Sequence, residues 1–338
     1  MSCLNLKSLS VLAGLCLLAG CDQRPPVESA QTGYRGTGMA EVSNPRKEEM
    51  KRAANVVPTA TPQAPAGGPK ARDTMQNVQV LGDLDVAQFT RLMVAMTEWV
   101  SPKEGCNYCH AADNLADDGK YTKVVARRML QMTMDINANW QGHVAQTGVT
   151  CFTCHRGNPV PQQVWSKPEP QTRPAHAGAR MGQNQPAASV GLSSLPSDPF
   201  SPFLLGSTEI RVQGPQALQE TVGGKGGLPN AEHTHGLMVH MSESLGLNCT
   251  SCHNSRDFAD WSQSTPQRAT AWHGIRMARQ VNNAYMEPLA SVFPAERKGP
   301  MGDTLKVNCA TCHQGANKPL LGVSMLGDYP ELKGTAAK

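Results

Sequence analysis

Four copies of one five-residue pattern constrain this chain more than anything else in it. C-N-Y-C-H at 106–110, C-F-T-C-H at 151–155, C-T-S-C-H at 249–253 and C-A-T-C-H at 309–313 each set two thiols three residues apart with an imidazole directly after them. That spacing suits two thioether bonds to one porphyrin edge, with the histidine reaching iron from one side. A single C-x-x-C in a cytosolic chain would more often be a redox dithiol or half of a zinc site. Four, each closed by histidine and lying behind an export signal, point to c-type haem. Four covalently attached haems are therefore expected, through Cys106/Cys109, Cys151/Cys154, Cys249/Cys252 and Cys309/Cys312, with His110, His155, His253 and His313 as proximal iron ligands. Haems rather than a sheet then supply the core. The expected fold class is mainly α with extensive irregular chain, a multihaem cytochrome c of two pseudo-repeated dihaem halves.

The first twenty residues read as the export signal: Lys7, then an apolar run from Leu9 to Ala19, too short to span a bilayer as a mature helix. The run ends in Leu18, Ala19, Gly20 and Cys21, which resembles the lipobox of bacterial lipoproteins and marks Cys21 as a lipid anchor. Each buried acyl CH₂ contributes roughly 0.8 kcal/mol, so two or three chains would hold the protein at a bilayer. The rest of the chain has no other apolar run long enough to span. A lipid-anchored protein on the periplasmic face of the membrane is expected. Of the eleven cysteines in 338 residues, Cys3, Cys16 and Cys21 lie outside the motifs, and none suggests a disulfide partner. With 17% charged residues and a net charge of +4, there is no nucleic-acid footprint and no acidic tail.

Residues 21–75 are expected to form the lipid anchor, strap and linker, with V-P-T-A-T-P-Q-A-P-A-G-G-P-K as the clearest linker stretch. A first dihaem half follows over 76–160, then a connecting segment over 161–230, a second dihaem half over 231–325 and a C-terminal tail over 326–338. The first helix should start at Asp85, with Gln88 three residues on in a capping-box arrangement. Phe89, Leu92, Met93 and Met96 recur on one face, and Ser101 before Pro102 ends the helix. A second helix is expected from about Thr122 to Trp140, carrying Val125, Met129, Met132 and Ile136 on one face. The pattern then recurs: Gly246 is a natural C-cap before Cys249, and Thr265 with Pro266 opens the next helix. Matching points lie 145 residues apart for Met93 and Met238, 143 for Cys106 and Cys249, 148 for Met129 and Met277, and 158 for Cys151 and Cys309. That is the mark of an internal duplication. His176, in the connecting segment, reads as solvated.

Three helices offer methionine ahead of a motif: Met93 before Cys106, Met129 before Cys151 and Met238 before Cys249. A thioether opposite histidine raises the haem potential relative to a second imidazole, and filled coordination argues for electron transfer rather than substrate binding at iron. Met96, Met132, Met134, Met241 and His240 compete locally, and helical register alone does not exclude them. For the fourth motif the repeat nominates Met277. His143, eight residues before Cys151, is a spare imidazole. Asp113, Asp117 and Asp118 follow the first motif closely, either as a docking patch for a basic donor or as a solvated loop.

The segments R-L-M-V-A-M-T-E-W-V-S-P-K-E-G-C-N-Y-C-H, R-R-M-L-Q-M-T-M-D-I-N-A-N-W-Q-G-H-V-A-Q-T-G-V-T-C-F-T-C-H and C-A-T-C-H-Q-G-A-N-K-P-L resemble the tetrahaem cytochrome subunit bound to the photosynthetic reaction centre of purple bacteria. G-Y-R-G-T-G-M at 33–39 is similar to that family's amino-terminal segment. The resemblance implies an electron-transfer protein rather than an enzyme. A soluble periplasmic donor, such as cytochrome c2 or a high-potential iron-sulfur protein, would deliver electrons. Four haems in a row would pass them to the photo-oxidised bacteriochlorophyll pair held by L- and M-type core subunits. It assigns Met93, Met129 and Met238 as distal ligands of the first three haems and His143, rather than Met277, as that of the fourth, making one bis-histidine site. A quinol-oxidising multihaem cytochrome would favour bis-histidine ligation throughout and a transmembrane helix, and a multihaem reductase would need one open iron face.

Overall fold

The computed structural model describes residues 25–33, 39–169, 182–185, 187–210 and 228–335. The signal segment, Cys21, residues 34–38 of the G-Y-R-G-T-G-M stretch and His176 lie outside them. Helices dominate what is described. A small antiparallel hairpin of β1 (Glu28–Gln31) and β2 (Ala40–Ser43) leads into α1 (Pro45–Ala54). Asn44 caps that helix by accepting from Arg46 N at 3.0 Å, which satisfies a backbone donor that has no partner inside the helix.

The expected helices form where their caps lie. Asp85 and Gln88 close the capping box in front of α2 (Val86–Val100), with Gln88 Oε1 accepting from Asp85 N at 3.3 Å. Asp85 also accepts from Lys70 Nζ at 2.8 Å and Gly67 N at 2.7 Å, tying the preceding segment to the helix start. The helix stops at Ser101, ahead of Pro102. α3 (Tyr121–Asn139) runs into the single turn α4 (Gln141–Val144) and then α5 (Cys151–His155). β3 (Val164–Trp165), α6 (Leu228–Leu245), α7 (Pro266–Gln280), β4 (Lys306–Val307) and α8 (Cys309–His313) complete the main elements. Gly246 takes the left-handed conformation at φ +62 just past α6, and Thr265 with Pro266 opens α7. No helix among the described residues is long and apolar enough to cross a membrane.

Three buried clusters hold these pieces together. Leu92, Ala95, Trp99, Leu130 and Cys151 pack in the first, with Leu320, Met325, Leu326, Tyr329 and Leu332 from the far end of the chain. Trp99 meets Tyr329 edge-on at 4.6 Å between ring centres. Residues 326–338, expected as a tail, thus place Leu326, Tyr329 and Leu332 in the core beside α2, each such side chain contributing roughly 1.5–3 kcal/mol by burial. The second cluster joins Trp165, Phe200, Phe203 and Leu204 to Leu237, Met241, Ile275 and Ala278, so parts of the connecting segment are core. β3 also pairs with β4, and Trp165 Nε1 donates to Val307 O at 2.9 Å. The third cluster brings Ile136 and Val149 together with Val281, more than 130 residues further along the chain.

Candidate haem-binding site

The four motifs adopt two local structures. Those at Cys106 and Cys249 sit on 3₁₀ turns (Gly105–Tyr108 and Cys249–Ser251). Those at Cys151 and Cys309 are the short helices α5 and α8, each behind a capping box (Thr150 with Thr153, Asn308 with Thr311). Each of these two helices is followed by a left-handed residue, Arg156 at φ 48 and Gln314 at φ 47. α5 and α8 pack on one another: Gln314 Nε2 donates to Cys154 O at 3.5 Å and Arg156 Nη2 to Cys312 O at 3.4 Å.

Every motif histidine is held the same way. Nδ1 lies 2.8 Å from Leu115 O in His110, 2.9 Å from Asn158 O in His155, 2.9 Å from Phe258 O in His253 and 2.9 Å from Ala316 O in His313. A carbonyl at that distance takes the Nδ1 proton, so Nε2 is left as the lone pair that can bind a metal. The acceptor is five residues on in the first and third motifs and three residues on in the second and fourth. Burial pushes His313 down to about 4, with neighbouring His143 adding to the effect, and burial also lowers His155 and His253. Lowering favours the neutral ring, the form that ligation requires.

One apolar cavity of about 1130 Å³ touches all four motifs, the third only through Cys252. His110, His155 and His313 border it, each with cysteines of its own motif, and Met93, Met129 and His143 border it from the opposing helices. α2 therefore buries two faces: Leu92, Ala95 and Trp99 turn to the core and Met93 to the cavity, while Met96 touches both. Met132 and Met277 also line it. Met238 and His253 do not; Met238 packs against the second cluster. Met241 borders the cavity. His240 is buried with Ser244 Oγ 3.1 Å from its Nε2, so its metal-binding nitrogen is already engaged.

His143 carries the signature of the motif histidines although it belongs to none. Its Nδ1 lies 2.9 Å from Thr270 O, across the molecule on α7. Its ring centre is 5.9 Å from that of His313, with the planes at 63°. Two metal–imidazole bonds of about 2 Å plus the two ring offsets come to roughly 6 Å, so this span suits one iron between two imidazoles. A bare metal centre fits less well: among the described residues no group of three or more His, Cys, Asp or Glu converges. Burial also lifts Cys151 and Cys309 to about 12, far from thiolates. The acidic loop after the first motif differs from a free docking patch. Asp118 is engaged by Arg127 Nη2 at 2.9 Å, Lys123 Nζ at 3.1 Å and Asn77 Nδ2 at 3.0 Å. Those donors, Arg127 foremost, hold its carboxyl well below the usual carboxylate range.

Thiol pairs beside Nε2-presenting histidines around a shared apolar interior define a c-type cytochrome. Residues 23–333 match the family described as photosynthetic reaction centre cytochrome C subunit. The photosynthetic reaction center cytochrome c subunit of Rubrivivax gelatinosus is 55% identical over 331 residues, covering 97% of this chain and 90% of that protein. Those of Thermochromatium tepidum (50% identical, 98% and 81% covered) and Roseobacter denitrificans (43% identical, 91% and 86% covered) are similar over nearly the same span. The chain belongs to this family, whose members are electron-transfer cytochromes with covalently bound c-type haem.

Proposed function

We propose that this chain takes electrons from a soluble periplasmic donor and re-reduces the photo-oxidised bacteriochlorophyll pair of a reaction centre, working through four c-type haems while Cys21 holds it to the bilayer. The observation that carries this reading is the set of Nε2-presenting histidines facing Met93, Met129 and His143 across one apolar cavity. Haem supplies a one-electron couple at each motif when bound. The protein's part is to fix each ring through its cysteine pair, to orient each imidazole through a backbone carbonyl and to keep water out. With His110, Met93 is the ligand pair of the first haem, His155 with Met129 that of the second, His253 with Met238 that of the third and His313 with His143 that of the fourth. The neutral thioether disfavours oxidised iron, so the three methionine sites are high-potential and the bis-histidine site is low.

The two dihaem halves are supported by the matched pairs of motif structures. Packing of α5 on α8 supports the second and fourth haems as neighbours in the row. Its membrane end follows from the strap. Glu41 Oε2 accepts from Asn248 N at 3.0 Å and Ser251 Oγ at 2.7 Å, clasping β2 to the third motif. Cys21 is seven residues before β1, a reach of at most about 25 Å. The third haem is then the exit toward the core subunits and the first is the entry. Flash spectroscopy of the intact complex tests this: haem oxidation should rise in step with re-reduction of the pair, and a pair that recovers with no haem signal would refute it. His143→Met should raise the potential of one haem and abolish the bis-imidazole spectrum.

A further inference from the structure

α7 contains a glycine in its interior, where glycine is the poorest helix former after proline. Gly274 sits four residues after Thr270, one turn along the face that meets α4. A Cβ at Gly274 would lie 2.5 Å from His143 Cε1, 2.8 Å from Nδ1 and 3.0 Å from Nε2. No carbon approaches that closely, so any side chain here must push the imidazole away. The ring has nowhere neutral to go, since its Nδ1 is 2.9 Å from Thr270 O and its other side faces His313. Thr270 O retains a second lone pair after its own helical bond, so it can accept from His143 at no cost to the helix.

The geometry points to Gly274 as the positioning residue of the fourth haem: with the Thr270 carbonyl it forms a seat on α7 that turns His143 Nε2 toward His313. The inference rests on the reading of His143 as an iron ligand and adds the reason an imidazole from the first half is held at a motif of the second. Covalent attachment fixes only the His313 side. The opposing side depends on a contact 127 residues away in sequence, made possible by the absence of one methyl group. The contact on the other side of the same crossing is looser: a Cβ at Gly142 would meet the His273 ring at 3.4 Å, ordinary packing distance. The requirement is therefore specific to Gly274.

The test uses the full-length holoprotein in its membrane complex and compares Gly274→Ala, His143→Met and the double variant His143→Gly/Gly274→Ala by electron paramagnetic resonance, redox titration and carbon monoxide binding. Gly274→Ala should lose the bis-imidazole signal and shift the potential of that one haem, or leave it open to carbon monoxide, while the other three potentials stay put. If His143→Met removes the signal but Gly274→Ala keeps both signal and potential, Gly274 does not position the ligand. If His143→Met leaves the signal intact, the ligand reading fails and this inference with it. Should Gly274→Ala not accumulate, the double variant decides: recovery of the protein identifies the ring contact as the cause, and continued failure assigns the defect to α7 itself and overturns the proposal.

Discussion

Replacing Arg91 with methionine should loosen the packing of α2 against residues 61–62 and 328–331 without touching a haem ligand. Arg91 is 9% exposed on α2 and gathers two distant segments. Its Nε donates to Pro62 O at 2.8 Å and its Nη2 to Thr61 O at 2.7 Å. Nη1 donates to Asp328 O at 2.8 Å and faces Glu331 Oε1 at 3.6 Å, and the guanidinium lies 4.2 Å over the Tyr329 ring. Methionine keeps the apolar stem but strands Glu331, whose side chain is only 9% exposed, and leaves three carbonyls without a charged donor. Removing one partner of a buried pair costs about 3–5 kcal/mol. At a urea slope of about 2–3 kcal/mol per molar, the unfolding midpoint followed by far-ultraviolet circular dichroism should fall by roughly 1–2 M. Adding Glu331→Gln should return part of the loss, because the stranded charge is gone. Haem attachment should survive, since each motif is built locally. An unchanged midpoint in Arg91→Met would mean that the contacts joining residues 61–62 to 328–331 hold nothing together.

Mass spectrometry of the mature protein should find four haems per chain, and three or fewer would remove one of the motifs from the set. Cys21→Ala with export intact should release haem-stained protein to the soluble periplasm in cells lacking the core subunits; retention on the membrane there would rule out the lipid anchor. Asp118 sets an acid limit on the loop that supplies the Leu115 carbonyl to His110. Its folded carboxyl is held below the ordinary 3.8 by Arg127, Asn77 and Lys123, so its stabilisation is complete above that pH and is lost only as pH falls toward the lowered value. Amide protection over residues 114–123, taken relative to intrinsic exchange at each pH, should be lower in Asp118→Asn at neutral pH and vary little with acid, whereas the parent should fall to it only in strong acid; identical protection in both at pH 7 would refute the role.

What the sequence determined is what short spans of chain decide for themselves. The C-x-x-C-H spacing names its cofactor because covalent attachment needs only five residues. Asp85 with Gln88, Thr265 with Pro266, and Gly246 mark helix ends because caps act within one turn. Tertiary structure decided what faces what. That Met93 turns to the cavity while Leu92 beside it turns to the core depends on where α3 and the C-terminal arm lie. Residues 326–332 read as a tail because their partners, Trp99 and Arg91, are more than two hundred residues away. Asp118 looked free in a loop because Arg127 and Asn77 reach it only once α3 is docked. His143 shows the division most plainly. The resemblance of its segment implies a role at the fourth haem, but its neighbours say nothing of Thr270 or Gly274, and it is the crossing of α4 over α7 that sets its ring 5.9 Å from that of His313.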